Sequence, residues 1–416
     1  MHFSSIFGLA ASVASVHALS KGFNSGSTKT DGTPKSYSDF AAEFKKAQNL
    51  PGTSGWNGIR LYTMIQGGTT DDPIAAIKAA IETKTEMLLG LWASAGEETI
   101  KNELSALSNA LDTYGSEFAD LVVGISVGSE DLYRNSETGM TNDAGVGVDP
   151  DIIVDYIKRT RKAISGTALS DSPIGHVDTW DAWQNGTNSE VVDNCDWLGM
   201  DTYPFFEYQK SNSIKNAEQL FYDALDITEA AAGGKDVWIT ETGWPVSGES
   251  QGDAVPSTEN AETYWQEIAC ALEGKYHVFW YTLQDANTDP SNPSFGIIGS
   301  DISSQPKYDL SCDKKSKTTS SSMPTMTVMT STNSDGDVVT MTTAAGSAGT
   351  ASATGTGSVF GGANSTVPAA TGAPTTVPAA STDTSDVDSE SENAAATTGP
   401  AITAAIFAVF GLIAVL

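Results

Sequence analysis

Eight short apolar segments alternate with longer amphipathic segments through residues 19–312, and this alternation constrains the fold more than any other feature. The short segments have the character of buried strands, and in the segments between them apolar residues recur at helical spacing. The alternation predicts βαβ units of the α/β class, closed into a (β/α)8 TIM barrel. The predicted strands are 21–24, 58–62, 86–92, 121–127, 174–180, 196–203, 236–240 and 277–283, and the clearest helices are 36–50, 73–85, 150–164 and 258–274.

An open, doubly wound sheet is the alternative fold for such an alternation. Sheets of that kind often bind a dinucleotide through a GxGxxG pattern that follows the first strand. The corresponding segment here reads GFNSGSTKTDG and lacks the pattern. The barrel is therefore the preferred prediction.

The first 18 residues are predicted to be a secretory signal peptide. An apolar run from Ile6 to Val16 precedes small residues around Ala18, which is the pattern of a cleaved signal. A buried first helix is the alternative, but nothing downstream requires a helix at this position.

The chain beyond the predicted barrel divides into two parts. Residues 313–393 are rich in Ser, Thr, Ala and Gly and contain no candidate strand, so we expect a disordered stalk. The apolar end, 401–416, is shorter than the span of about 20 residues that crosses a bilayer. Together with the small residues at Asn393, it predicts a glycosylphosphatidylinositol (GPI) anchor at Asn393 and loss of 394–416. An ordinary transmembrane helix is the alternative.

Two sequons, at Asn185 and Asn364, predict N-glycosylation, in agreement with a secreted chain. Three cysteines, Cys195, Cys270 and Cys312, allow at most one intrachain disulfide, and the sequence does not choose among the pairings. The formal net charge of −30 argues against nucleic acid or other polyanions as partners. No group of His and Cys has metal-ligand spacing, so neither a metal nor another cofactor is predicted, and the oligomeric state is left open.

Two of the predicted strands lead into a glutamate: Glu130 follows LVVGISVGS, and Glu241 lies in VWITETGWP. Active-site residues of (β/α)8 barrels lie at the C-terminal ends of the strands, so these two carboxylates would meet at the barrel mouth. Glycosidic-bond cleavage needs such a pair, one to donate a proton and the other to attack the anomeric carbon or activate water. Each glutamate could instead cap the following helix or pair with an arginine.

Aromatic residues are concentrated near the same strand ends, where their rings could stack on the apolar faces of sugars. We expect substrate contacts from Tyr62, Tyr203, Trp244 and Trp280. Aromatic side chains in a domain of this size more often fill the core, so the indication comes from their clustering and not from any single ring.

The motifs GISVGSEDLYR, VWITETGWP, GIRLYT, MDTYPFF and NPSFGIIG resemble fungal members of glycoside hydrolase family 17, which are GPI-anchored glucan endo-1,3-β-glucosidases. The resemblance covers nearly all of residues 19–312 and implies a (β/α)8 barrel. It implies Glu130 as proton donor and Glu241 as nucleophile of a retaining mechanism. Ser129 stands where such enzymes commonly have an asparagine that holds the substrate 2-hydroxyl. Tyr203 matches a tyrosine that hydrogen-bonds the nucleophile.

These observations predict a secreted endo-hydrolase of β-1,3-glucan, held at the outer face of the plasma membrane and in the cell wall. A glucanosyltransferase is a near alternative, because it forms the same covalent intermediate and transfers it to a sugar hydroxyl. A non-catalytic wall-binding or adhesion protein is a third hypothesis, favoured by the long stalk. The intact pair of Glu130 and Glu241 argues against that third hypothesis.

Overall fold

The computed structural model describes residues 19–29, 31–285 and 292–312, and the backbone of two short strands further along the chain. Eight parallel strands pair in chain order, and the eighth pairs with the first to close a barrel. The predicted (β/α)8 barrel is thus confirmed. Its strands are β1 Lys21–Ser25, β2 Trp56–Leu61, β3 Glu86–Leu91, β4 Val122–Ser129, β5 Ile174–Thr179, β6 Trp197–Asp201, β7 Asp236–Glu241 and β8 Val278–Trp280.

Helices connect the strands and pack around them. The helix predicted at 150–164 is present with those bounds and begins with Pro150, whose fixed φ suits the first helical position. The helix predicted at 258–274 is interrupted by a π-helical segment, Trp265–Ala269. The α-helices are α1 Tyr37–Gln48, α2 Ala76–Thr83, α3 Glu97–Ala119, α4 Asp131–Arg134, α5 Glu137–Thr141, α6 Pro150–Ile164, α7 Trp180–Gln184, α8 Ser189–Asn194, α9 Ile214–Ala232, α10 Thr258–Tyr264 and α11 Cys270–Leu272.

A small apolar cluster fills the barrel interior below the strand ends. Trp238 of β7 stacks on Trp197 of β6, with ring centroids 4.1 Å apart. On the opposite side of the barrel, a Cβ atom added to Gly124 of β4 would lie 2.7 Å from the Trp238 ring, so the indole spans the interior. The C-terminal strand ends above this layer are therefore free to carry polar side chains. The cluster comprises Leu88, Val123, Val177, Trp197, Trp238 and Phe279.

Strand β4 carries one extra residue shortly before Glu130. Successive pairs of the ladder advance from 126 to 129 on β4 but only from 175 to 177 on β5. Val127 and Gly128 therefore face the single residue His176, which is the geometry of a β-bulge. Gly128 has a φ of +87°, a conformation that favours glycine. Bulges bend a strand and redirect the side chains that follow, here that of Glu130.

Strand β7 carries a second bulge immediately before Glu241. Successive pairs advance from 200 to 201 on β6 but from 239 to 241 on β7, so Thr240 is the extra residue. The Thr240 carbonyl accepts hydrogen bonds from Asn24 Nδ2 at 3.0 Å and from Arg60 Nη1 at 3.3 Å. Both glutamates thus follow a bulge, which a local sequence pattern does not reveal.

The pairing of cysteines that the sequence left open is decided by the fold. Cys270 and Cys312 form a disulfide, with Cα atoms 5.4 Å apart, which ties the end of the barrel domain to α11. Cys195 is a buried free thiol.

Within residues 313–393, where the sequence showed no candidate strand, the backbone forms two short strands. β9, Met326–Thr332, and β10, Val338–Ala344, pair antiparallel. Both are rich in threonine and valine, whose β-branched side chains favour extended backbone. The predicted signal peptide, Asn364, Asn393 and the apolar tail lie outside the described residues. In the part of the chain that the structure describes, no helix is long and apolar enough to cross a membrane.

Candidate active site

Glu241 is the last residue of β7, and donors from other parts of the barrel hold both of its carboxylate oxygens. Oε1 accepts from Arg60 Nη1 at 2.6 Å and from the Tyr62 hydroxyl at 2.5 Å. Oε2 accepts from the Tyr203 hydroxyl at 2.6 Å. Hydrogen bonds of this kind stabilise a carboxylate and fix its orientation. The side chain remains 11% exposed, so it is reachable from the mouth.

The two tyrosines are suited to remain donors. Burial raises the pKa of Tyr62 and of Tyr203, and the charge of Glu241 raises both further. Each phenol therefore keeps its proton at any ordinary pH. The contact from Tyr203 to Glu241 is the one that the family resemblance implies. The hydroxyl of Tyr62, for which the sequence predicts a contact with sugar, binds the Glu241 carboxylate instead.

Arg60 is a central residue that sequence analysis does not single out. Its guanidinium is buried, and besides Glu241 it binds Ser129, with Nη2 to Oγ at 2.9 Å. It therefore joins the end of β7 to the residue that precedes Glu130. The Ser129 hydroxyl lies in the site but is already engaged by this contact. The available signal was the arginine within the apolar segment GIRLY, since a buried strand rarely contains an unpaired cation.

Asp201 is a second residue that sequence analysis missed. It pairs with Glu241 across β6 and β7, and its Oδ1 accepts from the Thr240 hydroxyl at 2.6 Å. Burial raises the pKa of Asp201, and the neighbouring Glu241 charge adds to the effect. A neutral Asp201 avoids placing a second negative charge beside Glu241.

Glu130 lies directly after β4, with φ +57° and ψ +24°, and its side chain makes no capping bond to α4. Arg134 Nη2 donates to its Oε2 at 3.2 Å, and the carboxyl is 14% exposed. Burial raises the pKa of Glu130 to about 7; Arg134 opposes the rise, while Glu241 and Asp178 add to it. The helix-capping alternative is thus excluded. The pairing with arginine is present, yet it leaves Glu130 able to carry a proton near neutral pH.

The prediction that Trp280 contacts substrate is wrong. Trp280 is only 1% exposed and packs outside the barrel against Trp265, with ring centroids 4.9 Å apart. Consecutive residues of a strand point to opposite faces. The next residue, Tyr281, is half-buried and lies on the side of the site, 5.9 Å from the Tyr203 ring. Burial and the charge of Glu241 raise the pKa of Tyr281.

The prediction for Trp244 is also wrong. Its ring is 1% exposed, packs edge-on against Phe205 at 5.5 Å, and donates from Nε1 to the Val255 carbonyl at 3.1 Å. Trp244 therefore holds the loop after β7 and presents no face to a sugar. A better placed ring is Trp92, which is half-buried at the end of β3 and stacks under Arg134, whose Cζ lies 5.2 Å from the ring centroid.

The two glutamates occupy chemically different surroundings within one cleft. Glu241 is held by three donors that suit an anion, whereas the surroundings of Glu130 favour a bound proton. Carboxyl groups whose surroundings differ in this way can serve as nucleophile and acid, respectively. Among the described residues, no group of three or more His, Cys, Asp or Glu side chains is arranged to hold a metal ion.

A (β/α)8 barrel with such a pair at the ends of β4 and β7 has the architecture of a glycoside hydrolase. Comparison of the sequence with known protein families identifies the particular family. A family model described as the BtgE/BtgC glycoside hydrolase domain matches residues 22–297. The chain belongs to this family, and the resemblance to family 17 glycoside hydrolases drawn from its motifs is confirmed.

Several fungal proteins are similar over the whole barrel. The chain is 56% identical over 321 residues to a probable glucan endo-1,3-β-glucosidase of Aspergillus oryzae, covering 77% of this chain and 69% of that protein. It is 55% identical over 316 residues to the protein of the same description in Aspergillus fumigatus, covering 76% and 70%.

A solved structure of a family 17 β-1,3-glucanosyltransferase from Rhizomucor miehei shares the fold. Its TM-score is 0.58 at 23% identity, covering 70% of this chain and 97% of that one.

Proposed function

We propose that this enzyme is a retaining endo-hydrolase of β-1,3-glucan that remodels the cell wall. One observation carries the proposal: Glu241 is fixed by three donors, while burial raises the pKa of Glu130 to about 7 in the same cleft. The names of the relatives support the substrate, since they are probable glucan endo-1,3-β-glucosidases. A neutral polysaccharide is also compatible with the charge of −30.

In the first step, protonated Glu130 gives its proton to the glycosidic oxygen as the C–O bond breaks. Glu241 attacks the anomeric carbon from the opposite face and forms an α-linked glycosyl ester. Arg60, Tyr62 and Tyr203 orient the attacking carboxylate without rearrangement, because their hydrogen bonds are already formed.

In the second step, ionised Glu130 takes a proton from a water molecule on the face that the leaving group vacated. The water attacks the anomeric carbon, the ester bond breaks, and the product keeps the β configuration. A sugar hydroxyl in place of water would give transglycosylation by the same route.

The test is to incubate the secreted full-length protein with laminari-oligosaccharides and follow product length and anomeric configuration. Shorter products that are released first as the β anomer would support the proposal. Longer products would identify a glucanosyltransferase, and unchanged oligosaccharides that still bind would identify a non-catalytic wall protein. First release of the α anomer would contradict the retaining mechanism. Glu241→Gln serves as the inactive reference.

We also propose that the enzyme acts at the cell surface. The signal at 1–18, the segment 313–393 and the anchor at Asn393 would hold the enzyme at the outer face of the plasma membrane, within reach of the wall. Phosphatidylinositol-specific phospholipase C should release it from intact cells. Retention of the protein, with 401–416 still present in the mature chain, would contradict the lipid anchor.

N-glycosylation at Asn185 belongs to the same proposal. Asn185 is exposed, and its Oδ1 accepts from the Thr187 backbone N–H at 3.1 Å and hydroxyl at 2.9 Å. Endoglycosidase treatment should lower the apparent mass of the wild type by one glycan more than that of Asn185→Gln.

A further inference from the structure

In the β4 bulge, a backbone carbonyl outside the regular strand pairing is hydrogen-bonded by a buried histidine. His176 of β5 is fully buried, and its Nδ1 lies 2.6 Å from the Val127 carbonyl oxygen. After the bulge, the ladder resumes with the Glu130 backbone N–H donating to the Val177 carbonyl at 2.9 Å. The imidazole therefore stabilises the backbone three residues before Glu130.

The other ring nitrogen of His176 is connected, through Asp178, to the residues that follow Glu130. Nε2 lies 3.0 Å from Asp178 Oδ2, and the same carboxylate accepts from the backbone N–H groups of Leu132 at 2.9 Å and Tyr133 at 3.2 Å. These two groups belong to the first turn of α4, immediately after Glu130. One ring thus connects the chain before Glu130 with the chain after it.

The partners of the ring determine its protonation. The Val127 carbonyl can only accept, so Nδ1 carries a hydrogen. Asp178 also accepts from the Thr179 backbone N–H at 2.9 Å, so backbone donors already bind both of its oxygens and it serves as an acceptor for Nε2. Both ring nitrogens therefore donate, and His176 is an imidazolium whose counter-charge is Asp178. Burial lowers the pKa of His176, but Asp178 and Asp131 outweigh this effect and the pKa is raised.

Asp131 also contacts the β4 bulge. Its Oδ2 accepts from the Ser129 backbone N–H at 2.7 Å, and its Oδ1 accepts from the Ser94 hydroxyl. A Cβ atom at Gly128 would lie 2.2 Å from Asp131 Oδ2 and 3.0 Å from His176 Cε1. The carboxylate and the imidazolium therefore enclose the bulge, and no larger residue fits between them.

We infer that His176 is a positioning residue for Glu130: its doubly donating ring ties the β4 bulge to the first turn of α4 and so aims the acid into the mouth. The inference rests on the proposed role of Glu130 as proton donor. The hydrogen bonds of the His176 ring go to Val127 and Asp178 and not to either glutamate, so its effect on Glu130 is transmitted through these two residues. The left-handed backbone of Glu130, rare for a residue with a side chain, is held by these contacts on both sides.

The test compares two leaving groups in the full-length enzyme. Cleavage of laminari-oligosaccharides needs the acid, whereas loss of 2,4-dinitrophenolate from an aryl β-laminaribioside needs little proton donation. We expect His176→Gln to lower kcat/KM on the oligosaccharide by about 100-fold, within the usual contribution of a general acid. On the aryl substrate, under conditions in which glycosylation limits the rate, the loss should be less than about threefold. Equal losses on both substrates, or no loss on either, would overturn the inference.

A second histidine provides the matched control. His277 lies next to β8 at the opposite end of the barrel, stacks on Trp238 at 4.1 Å, and accepts from the Ser20 backbone N–H at Nδ1. His277→Gln should leave the ratio of the two activities unchanged, whatever its effect on the melting temperature. In a Glu130→Ala background, His176→Gln should cost less than about twofold on the aryl substrate, because there is no acid left to position.

A measurement without turnover separates this inference from the proposed function. In the wild-type protein, ¹H–¹⁵N spectra of the His176 ring should show hydrogens on both nitrogens at neutral pH. A single ring N–H would overturn the inference even if the enzyme were active or if His176→Gln failed to fold. If both hydrogens were present but wild type cleaved neither substrate, the proposed function would fail while the contacts of His176 stood.

Discussion

Arg60 Nη1 and Glu241 Oε1 lie 2.6 Å apart, and the guanidinium is almost fully buried. The same Nη1 reaches the carbonyl of the bulge residue Thr240, and Nη2 reaches Ser129. One cation thus fixes the nucleophile, the bulge that aims it and the strand end that carries the acid. Neutralising a buried charge of this kind leaves its partners unpaired, so the position of Glu241 depends on Arg60.

The stereochemistry of azide rescue should distinguish the two glutamates. In Glu130→Ala the second step lacks a base, and azide, which needs none, should restore turnover of an activated aryl substrate and give the β-glycosyl azide. In Glu241→Ala azide can only replace the nucleophile, so the α-azide should form. The anomers can be assigned by NMR. Exchange of the two products between the variants would reverse the roles, and near-normal activity on glucan in both would place the site elsewhere.

Arg134 should determine the alkaline side of the pH profile. The wild-type kcat/KM should fall as pH rises through about 7, where Glu130 loses its proton. Arg134 opposes protonation, so Arg134→Met should raise the pKa of Glu130 and move this limb to higher pH. Arg134→Lys keeps the charge and should leave the limb closer to the wild-type position. A shift of the Met variant to lower pH would contradict the assignment of this limb to Glu130.

The tyrosine hydroxyls that bind Glu241 should each contribute to turnover. Tyr203→Phe removes the donor to Oε2, and Tyr62→Phe removes one of two donors to Oε1. A hydrogen bond to a charged group contributes about 1.5–3 kcal/mol, so we expect Tyr203→Phe to lower kcat/KM by about 10- to 100-fold. Tyr62→Phe should cost less, because Arg60 remains on the same oxygen.

Tyr264→Phe is the control for this pair. Its hydroxyl binds the Thr242 hydroxyl at 2.7 Å and does not touch Glu241. Losses of similar size in Tyr264→Phe and Tyr203→Phe would mean that packing, and not donation to the nucleophile, explains the effect.

Glu103 should make the stability of the barrel depend on pH. It is buried on α3, accepts from the Met64 backbone N–H at 2.7 Å, and burial raises its pKa from 4.5 to about 8. The folded state therefore binds a proton more tightly than the unfolded chain. Below about pH 4.5, protonated Glu103 therefore adds up to a few kcal/mol to the free energy of unfolding. This stabilisation is lost as the pH rises towards 8. Glu103→Gln should flatten this fall in denaturant titrations.

The exposed residue Glu98, on the same helix, is the reference for Glu103. Its side chain is 80% exposed, so Glu98→Gln should leave the slope of stability against pH unchanged. The assignment to Glu103 would be wrong if its variant kept the wild-type slope.

The architecture and the two principal carboxylates could be predicted from the amino-acid sequence. The strands and helices could be predicted because hydrophobic periodicity is a local property of the chain. Eight alternations of strand and helix then indicate a barrel. The ends of β4 and β7 are marked by the short motifs around Glu130 and Glu241, and both lie at the same end of a parallel barrel by topology alone. Tyr62, Ser129 and Tyr203, predicted near these strand ends, are brought together with them for the same reason.

Which side chains face the site, and which residues hold them there, could not be predicted without the folded chain. The bulges at Val127–Gly128 and Thr240 change the register by one residue, and a change of one residue sends a side chain to the opposite face of a strand. On β8, Trp280 packs outside while Tyr281 lies on the side of the site, because consecutive residues of a strand point to opposite faces. Arg60 and His176 carry no local signature of their roles, because their partners are far away in the sequence. The choice of Cys270 and Cys312 over Cys195 likewise depends on distances between Cα atoms that only the folded chain defines.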